Sequence, residues 1–437
     1  MNYYNLKDKE EVVDFKTASI KSQGNHKGLF FPEYIPKFDD EFIQNLHLYA
    51  DEEIAFRSMK DFAGDEIPEE ILRKIAAETF SFEIPLKKIN ENIAVLELFH
   101  GPTLAFKDVG ARFMSRCLSY FLKDENKKVT VLVATSGDTG GAVAHGFYNI
   151  PGINVVILYP KNRVSPVQEK QLTALGGNIS ALEVNGSFDD CQRLVKQAFA
   201  DKSINSELFL TSANSINIAR WLPQQIYYLL ALKHWQQHEN QDPVICVPSG
   251  NFGNICAGLL AHFRGLPAEH FIAACNENDV VPDYLKTRQY HPKKAVSTLS
   301  NAMDVGDPSN FTRILELFGQ QFEQLKDMIS GYSINDKLTL QTIQEVHKKY
   351  GYLLEPHGAV AYASLEQYLI EHPGKKGLIL GTAHPVKFPD AVKKAANIKV
   401  EIPAGLKDLM EKDKKTIEIH ADFEELKRFL LNKNQEQ

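Results

Sequence analysis

Residues 129–141 read VTVLVATSGDTGG. The first six residues form a nearly continuous apolar run, which predicts a strand buried on both faces, and the glycine-rich turn after it leads into a predicted helix at 140–148. The same alternation recurs along the chain, with strands predicted at 154–159, 179–184, 208–212, 244–248, 271–275 and 377–380 and helices at 165–175, 188–199, 217–234 and 255–264. Apolar strands joined by helices are typical of parallel α/β sheets, which bind ligands at the carboxyl ends of their strands.

The flanking segments have a different character. Apolar residues at helical spacing in 42–49 and 69–79 predict a mainly helical N-terminal domain over 1–95. The alternating part divides into a smaller α/β domain over 96–215 and a larger one over 216–437, which ends in a charged tail predicted to be helical. The polar, proline-containing stretch 277–313 is either a loop near a site or a plain surface connection.

Composition excludes several classes of protein. A chain of 437 residues holds two or three domains at roughly 100–200 residues each. The net charge of −7 indicates that the chain lacks the basic surface that nucleic-acid binding requires. Its five cysteines form no C-x-x-C pair, which argues against a disulfide framework and a zinc site, so no metal is predicted. The N-terminus shows no signal-peptide pattern, and no apolar run approaches the ~18 residues of a membrane span, which favours a soluble cytoplasmic protein without a membrane partner.

One lysine stands where a cation is unfavourable. Lys107 lies in the run FHGPTLAFKD (99–108), just before a predicted helix. Apolar neighbours and the positive end of the helix both lower the pKa of such a lysine. A lowered pKa makes the amine a better nucleophile and base. The alternative is a solvated surface lysine.

Two glycine-rich turns follow predicted strands. The turn SGNFGN (249–254) allows close approach of an anion to the backbone, and the helix after it offers free N–H groups. The turn TSGDTGG (135–141) adds hydroxyl groups, which suits a carboxylate or a second phosphate. Neither matches the dinucleotide or P-loop fingerprint. Asp138 is out of place in an anion site, and its alternative role is a helix N-cap.

Two further strand ends carry candidate residues. In NSINIAR (214–220), Ser215 and Arg220 could reach one anion, with arginine giving a bidentate grip; the alternative is a capped helix with an exposed arginine. Thr382 follows the last predicted strand, and its hydroxyl can hydrogen-bond a ring nitrogen without imposing charge.

Taken together and in order, these motifs resemble the threonine synthase family. The strings are H-G-P-T-x-x-F-K-D, T-S-G-D-T-G, S-x-N-S-x-N-x-x-R, S-G-N-F-G-N and G-T-A-H-P-x-K-F, between about Leu98 and Ala391. More broadly the chain is similar to the fold type II pyridoxal-phosphate (PLP) enzymes, and its length resembles the longer bacterial and fungal branch. The resemblance implies two parallel-sheet α/β domains like those of the tryptophan synthase β chain. It also implies PLP as cofactor and conversion of O-phospho-L-homoserine and water to L-threonine and phosphate, the last step of threonine biosynthesis.

The resemblance assigns roles residue by residue. Lys107 corresponds to the lysine that forms the Schiff base with PLP. The implied cofactor-binding residues are Lys107, Phe106, Asp138, Gly250, Asn251, Phe252, Gly253, Asn254 and Thr382. The implied substrate-binding residues are Ser136, Gly137 and Thr139 for the carboxylate and Asn214, Ser215 and Arg220 for the phosphate. The wider fold family usually has asparagine where Asp138 stands, and an aspartate there would repel the cofactor's 3-oxygen unless it were protonated or turned away.

Alternative functions remain at this level. Another enzyme of the same cofactor fold, such as a threonine or serine dehydratase or a cysteine synthase, would share most motifs but would not need the cluster around Arg220. A phospho-lyase homologue without synthase activity would keep them all. The sequence leaves the oligomeric state open between monomer and homodimer.

Overall fold

The computed structural model describes residues 1–123 and 128–435. The strands in these residues are β1 (Asn2–Asn5), β2 (Asp8–Asp14), β3 (Phe30–Pro32), β4 (Leu86–Lys88), β5 (Ile93–Glu97), β6 (Val129–Ala134), β7 (Ile153–Pro160), β8 (Ile179–Asn185), β9 (Phe209–Thr211), β10 (Val244–Pro248), β11 (His270–Cys275), β12 (Ile329–Ser333), β13 (Gly377–Gly381) and β14 (Ile417–His420). The α-helices are α1 (Phe15–Lys21), α2 (Asp40–Gln44), α3 (Asp51–Ala63), α4 (Glu69–Thr79), α5 (Lys107–Leu122), α6 (Asp138–Gly146), α7 (Pro166–Thr173), α8 (Phe188–Ala200), α9 (Lys202–Glu207), α10 (Ile218–Trp221), α11 (Gln225–Trp235), α12 (Gly253–Phe263), α13 (Val280–Thr287), α14 (Phe311–Leu317), α15 (Phe322–Met328), α16 (Asp336–Tyr350), α17 (Pro356–Glu371), α18 (Pro389–Ala396), α19 (Ala404–Glu411) and α20 (Phe423–Gln435).

Two parallel sheets form the α/β part, as predicted. The five-stranded sheet has the order β14-β8-β7-β6-β9 and is parallel throughout. The six-stranded sheet has the order β12-β11-β10-β13-β5-β4, and its edge strand β4 alone among these is antiparallel to its neighbour. Strands β6, β10 and β13 are buried along their whole length. Their carboxyl ends lead into the segments that carry the candidate motifs.

Sheet membership does not follow the predicted domain boundaries. Strand β5 begins within the predicted helical domain 1–95 but pairs with β13 of the larger sheet. Strand β14 lies in the charged tail, which was predicted to be only helical, and joins the smaller sheet beside β8. The tail therefore covers an edge of the smaller sheet, and the division into 1–95, 96–215 and 216–437 stays a prediction.

Local structure differs from the prediction at two other places. The N-terminal part contains the predicted helix 69–79 as α4, but it also holds an antiparallel sheet, β2-β1-β3, which was not predicted. Strand β2 is DKEEVVD, whose charges hide the alternation expected of a strand. The single helix predicted over 217–234 is divided into α10 and α11 by a 3₁₀ turn at 222–224, because Pro223 cannot donate a helical hydrogen bond.

The structure adds two observations about the chain as a whole. The five cysteines are buried as free thiols. No helix in the described ranges combines the length and apolar character needed to cross a membrane.

A buried arginine attaches the N-terminal part to the rest of the molecule. Arg264 follows α12, and its guanidinium is completely buried. It donates to the carbonyl oxygens of Pro36 (2.9 Å) and Ser58 (2.7 Å) and to the side-chain oxygen of Gln225 (2.6 Å). It also pairs with Asp61 at 3.1 Å. One side chain thus satisfies polar groups of the N-terminal part and of α11.

We expect Arg264→Ala to lower the free energy of unfolding by about 3 kcal/mol or more, because it leaves buried acceptors without a donor. Urea denaturation of the full chain measures the change. Arg193→Ala is the matched control, since the Arg193 side chain is 46% exposed and its loss should change the free energy by less than about 0.5 kcal/mol. Equal effects of the two substitutions would contradict the role given to Arg264.

Candidate active site

Backbone hydrogen bonds bring Lys107 next to Thr382. The N–H of Phe106 donates to the carbonyl of Thr382 (2.9 Å), and the N–H of His384 donates to the carbonyl of Leu104 (3.1 Å). Helix α5 starts at Lys107, directly after this paired segment. The hydroxyl of Tyr227 on α11 donates to the carbonyl of Phe106. The start of α5 is therefore fixed to the end of β13 by main-chain contacts.

The amine of Lys107 lies in a largely enclosed position. Its side chain is 16% exposed, and its Nζ is 5.1 Å from the centre of the Phe106 ring. Burial lowers the pKa of Lys107, and Asp138 opposes that shift. The nearest carboxylate oxygen, Oδ2 of Asp138, is 3.9 Å away, which is too far for a hydrogen bond. Lys107 is thus not a solvated surface lysine, and a lowered pKa makes its amine a better nucleophile.

The loop at 249–254 has the geometry of an anion cradle. Phe252 adopts a left-handed conformation (φ 60°), and α12 begins at Gly253. Among the described residues, the backbone N–H groups of Gly250, Asn251 and Phe252 have no acceptor. The buried amide nitrogen of Asn254 also lacks a partner in the described part of the chain. Unpaired donors at a helix N-terminus are what a phosphate group requires.

Ser215 lies against this cradle. Its hydroxyl accepts from the side-chain amide of Asn251 at 2.8 Å. Asn310 donates from its side chain to the carbonyl of Asn251 (3.1 Å) and to the Ser215 hydroxyl (3.4 Å). The stretch 277–313 therefore reaches the site through Asn310, although it also contains α13. Asn214 lies in the same turn as Ser215, and its N–H donates to the Ser212 hydroxyl at 3.4 Å.

Arg220 is a buried cation. The alternative interpretation, a capped helix with an exposed arginine, is therefore wrong. It is 3% exposed and donates to the carbonyl of Ala213, but its Nε has no partner among the described residues. Burial lowers the pKa of Arg220 to about 10. No carboxylate of the described residues lies at ion-pair distance from it. A buried cation without a counter-ion is unfavourable unless an anionic ligand approaches it.

The turn at 135–141 presents both backbone and hydroxyl groups. Gly137 has φ 136° and ψ −82°, a conformation that glycine tolerates, and its N–H donates to the hydroxyl of Thr135 at 2.9 Å. Ser136 and Thr139 are half-buried on either side of it. Asp138 is the first residue of α6 and is not its N-cap, so the capping alternative is wrong.

The Asp138 carboxylate is ionised and paired. Its Oδ1 accepts from Nζ of Lys387 and from the side-chain amide of Gln168, each at 2.8 Å. Lys387 is fully buried and also donates to the carbonyl of Thr103 at 2.8 Å. Burial alone would raise the pKa of Asp138, but the charges of Lys387 and Lys107 lower it well below the ordinary value. The carboxylate is therefore neutralised by a neighbouring cation rather than protonated.

Direct contacts join the predicted site residues in two groups, with Lys107, Phe106, Asp138 and Thr382 in one and Ser215 and Asn251 in the other. The sequence interpretation gave no role to several side chains that contact predicted site residues, among them Gln168, Tyr227, Tyr228, Asn310 and Lys387. Lys387 stands inside the string GTAHPVKF, which was the available signal, whereas Gln168 and Asn310 lie outside every motif.

Three family models match the chain. Residues 78–380 match the pyridoxal-phosphate dependent enzymes, residues 2–80 match the threonine synthase N terminus, and residues 358–430 match the threonine synthase C-terminal model. The threonine synthase of Escherichia coli is 46% identical over 433 residues, covering 99% of this chain and 100% of the relative. The threonine synthase of Saccharomyces cerevisiae is 35% identical over 487 residues, covering 95% of each chain.

Solved structures agree with the sequence matches. The crystal structure of the Escherichia coli threonine synthase superposes with a TM-score of 0.92 at 45% identity, covering 99% of this chain and 100% of that one. A PLP-bound threonine synthase from Brucella melitensis gives a TM-score of 0.92 at 34% identity, with both chains covered completely. A maize serine racemase shares the fold alone, at a TM-score of 0.54 and 17% identity over 72% of this chain and 93% of that one. The chain therefore belongs to the threonine synthase family, a branch of the fold type II pyridoxal-phosphate-dependent enzymes.

Proposed function

We propose that this chain converts O-phospho-L-homoserine and water into L-threonine and phosphate, as a cytoplasmic PLP-dependent lyase. The observation that carries the proposal is a buried lysine amine accompanied by two places suited to phosphate. One is the cradle at 250–254, and the other is the buried guanidinium of Arg220, whose Nε has no partner among the described residues. A cofactor phosphate and a substrate phosphate would each need one of them. A dehydratase of unphosphorylated serine or threonine would need only the cradle.

The residues present fit PLP. Within the described ranges, the cradle has N–H donors without an acceptor, which suit the phosphate, and the Lys107 amine has no hydrogen-bonded partner, which suits the aldehyde. Thr382 is close to Lys107 in the structure, and its hydroxyl suits a ring nitrogen. The residues proposed to hold the cofactor are Lys107, Phe106, Asp138, Gly250, Asn251, Phe252, Gly253, Asn254 and Thr382. When bound, PLP withdraws electrons from the substrate carbon that loses its proton.

Lys107 is proposed to move the protons of the reaction. A neutral amine can accept a proton from Cα or Cβ of the substrate, and the resulting ammonium can return it. The lowered pKa of Lys107 favours the neutral form that this role requires. Removal of the Cβ proton accompanies departure of phosphate from Cγ, and water later adds at Cβ.

The substrate is proposed to lie between two of the strand ends. Ser136, Gly137 and Thr139 would bind its carboxylate through hydroxyl and backbone N–H groups. Arg220 would bind the phosphate that leaves, with Asn214 beside it. The Ser215 hydroxyl already accepts from Asn251, so Ser215 would act by fixing the edge of the cradle as well as by contacting phosphate.

The first experiment assays threonine, phosphate and 2-oxobutanoate from O-phospho-L-homoserine, with PLP-loaded wild type beside Lys107→Ala. We expect equal amounts of threonine and phosphate from wild type and no turnover from Lys107→Ala, because no other amine occupies that position. Lys233→Ala, which removes a lysine paired with Asp51 at 2.7 Å in another part of the molecule, should retain activity. A product mixture of 2-oxobutanoate and phosphate alone would indicate a phospho-lyase.

The close packing of the cradle predicts that a side chain added at Gly250 weakens cofactor binding. A Cβ on Gly250 would lie 2.6 Å from Cα of Met303, so Gly250→Ala must displace backbone. We expect the affinity for PLP to fall by about tenfold or more, a loss of about 1.4 kcal/mol. Absorbance titration of the PLP-free chain measures it. Gly405→Ala is the control, because nothing lies within 4 Å of its added Cβ, and equal affinity in both variants would argue against a cradle at 250–254.

The position proposed for Arg220 predicts that its substitution weakens substrate binding without weakening cofactor binding. Arg220→Met keeps much of the side-chain volume but removes the charge. We expect KM for O-phospho-L-homoserine to rise by about tenfold or more, since a hydrogen bond to a charged group contributes about 1.5–3 kcal/mol. The affinity for PLP should stay close to that of wild type. An unchanged KM would place the substrate phosphate elsewhere.

A further inference from the structure

Two lysines face a single carboxylate in the candidate active site. Oδ1 of Asp138 is 2.8 Å from Nζ of Lys387, whereas Oδ2 is 3.9 Å from Nζ of Lys107. Only the first distance is a hydrogen bond. Lys387 therefore forms the hydrogen-bonded ion pair with Asp138, and the contact of Lys107 with that carboxylate is longer.

The surroundings of Lys387 hold it in this position. Its ammonium is wholly buried and donates a second hydrogen bond, to the carbonyl of Thr103 at 2.8 Å. Gln168 donates to the same carboxylate oxygen as Lys387. Lys387 comes from the 3₁₀ turn after β13, Asp138 from the start of α6 and Thr103 from the segment before α5. The contact thus joins three segments that surround Lys107.

The charges explain why this arrangement matters for the amine. With Lys107 neutral, Lys387 and Asp138 form a closed pair with no net charge. Without Lys387, the buried Asp138 carboxylate would have Lys107 as its nearest cation and would favour the ammonium form. Arg220 from α10 and Glu355 before α17 also act on Lys107, with opposite signs. Lys387 is therefore the cation that decides whether Asp138 is available to Lys107.

We propose that Lys387 is a positioning residue that holds the Asp138 carboxylate through Oδ1 and so keeps that carboxylate from hydrogen-bonding the Lys107 amine. The inference rests on the proposed role of Lys107 as the reactive amine. It also accounts for an aspartate beside the place proposed for the cofactor, because the pair carries no net charge toward an anionic oxygen. Lys387 acts through Asp138 and is not assigned a contact with substrate.

The test measures the protonation of Lys107 directly. The full-length chain is freed of PLP with hydroxylamine and treated with cyanate, which reacts with unprotonated amines, and mass spectrometry follows carbamylation of Lys107 against pH. We expect Lys387→Met to move the midpoint to higher pH by about one unit or more, because the freed carboxylate stabilises the ammonium. Asp138→Asn should move it to lower pH, since Lys387 then repels the Lys107 ammonium. The midpoint of the double variant, which combines both substitutions, should lie between the midpoints of the two single variants.

If the Lys107 midpoint moves in opposite directions in Lys387→Met and Asp138→Asn, the effect is one of positioning, because a general loosening of the fold would move both midpoints in the same direction. Lys233→Met, which breaks a comparable ion pair with Asp51, should leave the Lys107 midpoint unchanged. No shift in Lys387→Met, or a shift of both single variants in one direction, would overturn the proposal. If Lys387→Met does not give the wild-type circular dichroism spectrum, Asp138→Asn decides: a lower midpoint supports the proposal and any other result overturns it. The threonine assay tests the proposed function separately, because carbamylation needs neither cofactor nor substrate.

Discussion

The site depends on the main-chain pairing that ties the start of α5 to the end of β13. Strands β5 and β13 are parallel neighbours, and their contact continues past the strands through the bond from Leu98 N–H to the Gly381 carbonyl at 2.9 Å. The chain then turns, and an antiparallel bridge joins Ala105 to Ala383. These backbone contacts fix the distance between Lys107 and Thr382. Their relative position is set by the sheet, and substitution of neighbouring side chains leaves the bonds that define it in place.

The second constraint on the site is that its cationic side chain and N–H donors are not fully paired by acceptors of the protein. Arg220 is buried with an unpaired Nε, and the N–H groups at 250–252 have no acceptor in the described structure. A buried donor without a partner is unfavourable, so an anionic ligand that pairs with these groups would gain binding free energy. The same groups are unfavourable in the protein alone and suit the phosphate groups of the proposed ligands. Stability and ligand binding are therefore linked through these donors.

Features set by neighbouring residues were predictable from the sequence. The apolar run 129–134 forms β6 and the spacing in 69–79 forms α4, because each pattern contains its own periodicity. Strand β14 could not be predicted, since it lies in a charged tail and owes its structure to pairing with β8. The motifs predicted which strand ends carry the candidate site residues. They could not identify the partner of Asp138, because the contact with Lys387 arises only when the ends of β6 and β13 come together.

Asp138 and Lys387 have a physical explanation only as a pair. A lone aspartate in this enclosed place would repel an anionic oxygen of the cofactor, and a lone buried lysine would be an uncompensated charge. Together they carry no net charge, as a single asparagine would. The pair differs from asparagine because it hydrogen-bonds across segments, from the turn after β13 to the segment before α5. The carboxylate is then held in a fixed position beside Lys107, and its charge is balanced through Oδ1, whereas Oδ2 is the oxygen closer to that amine.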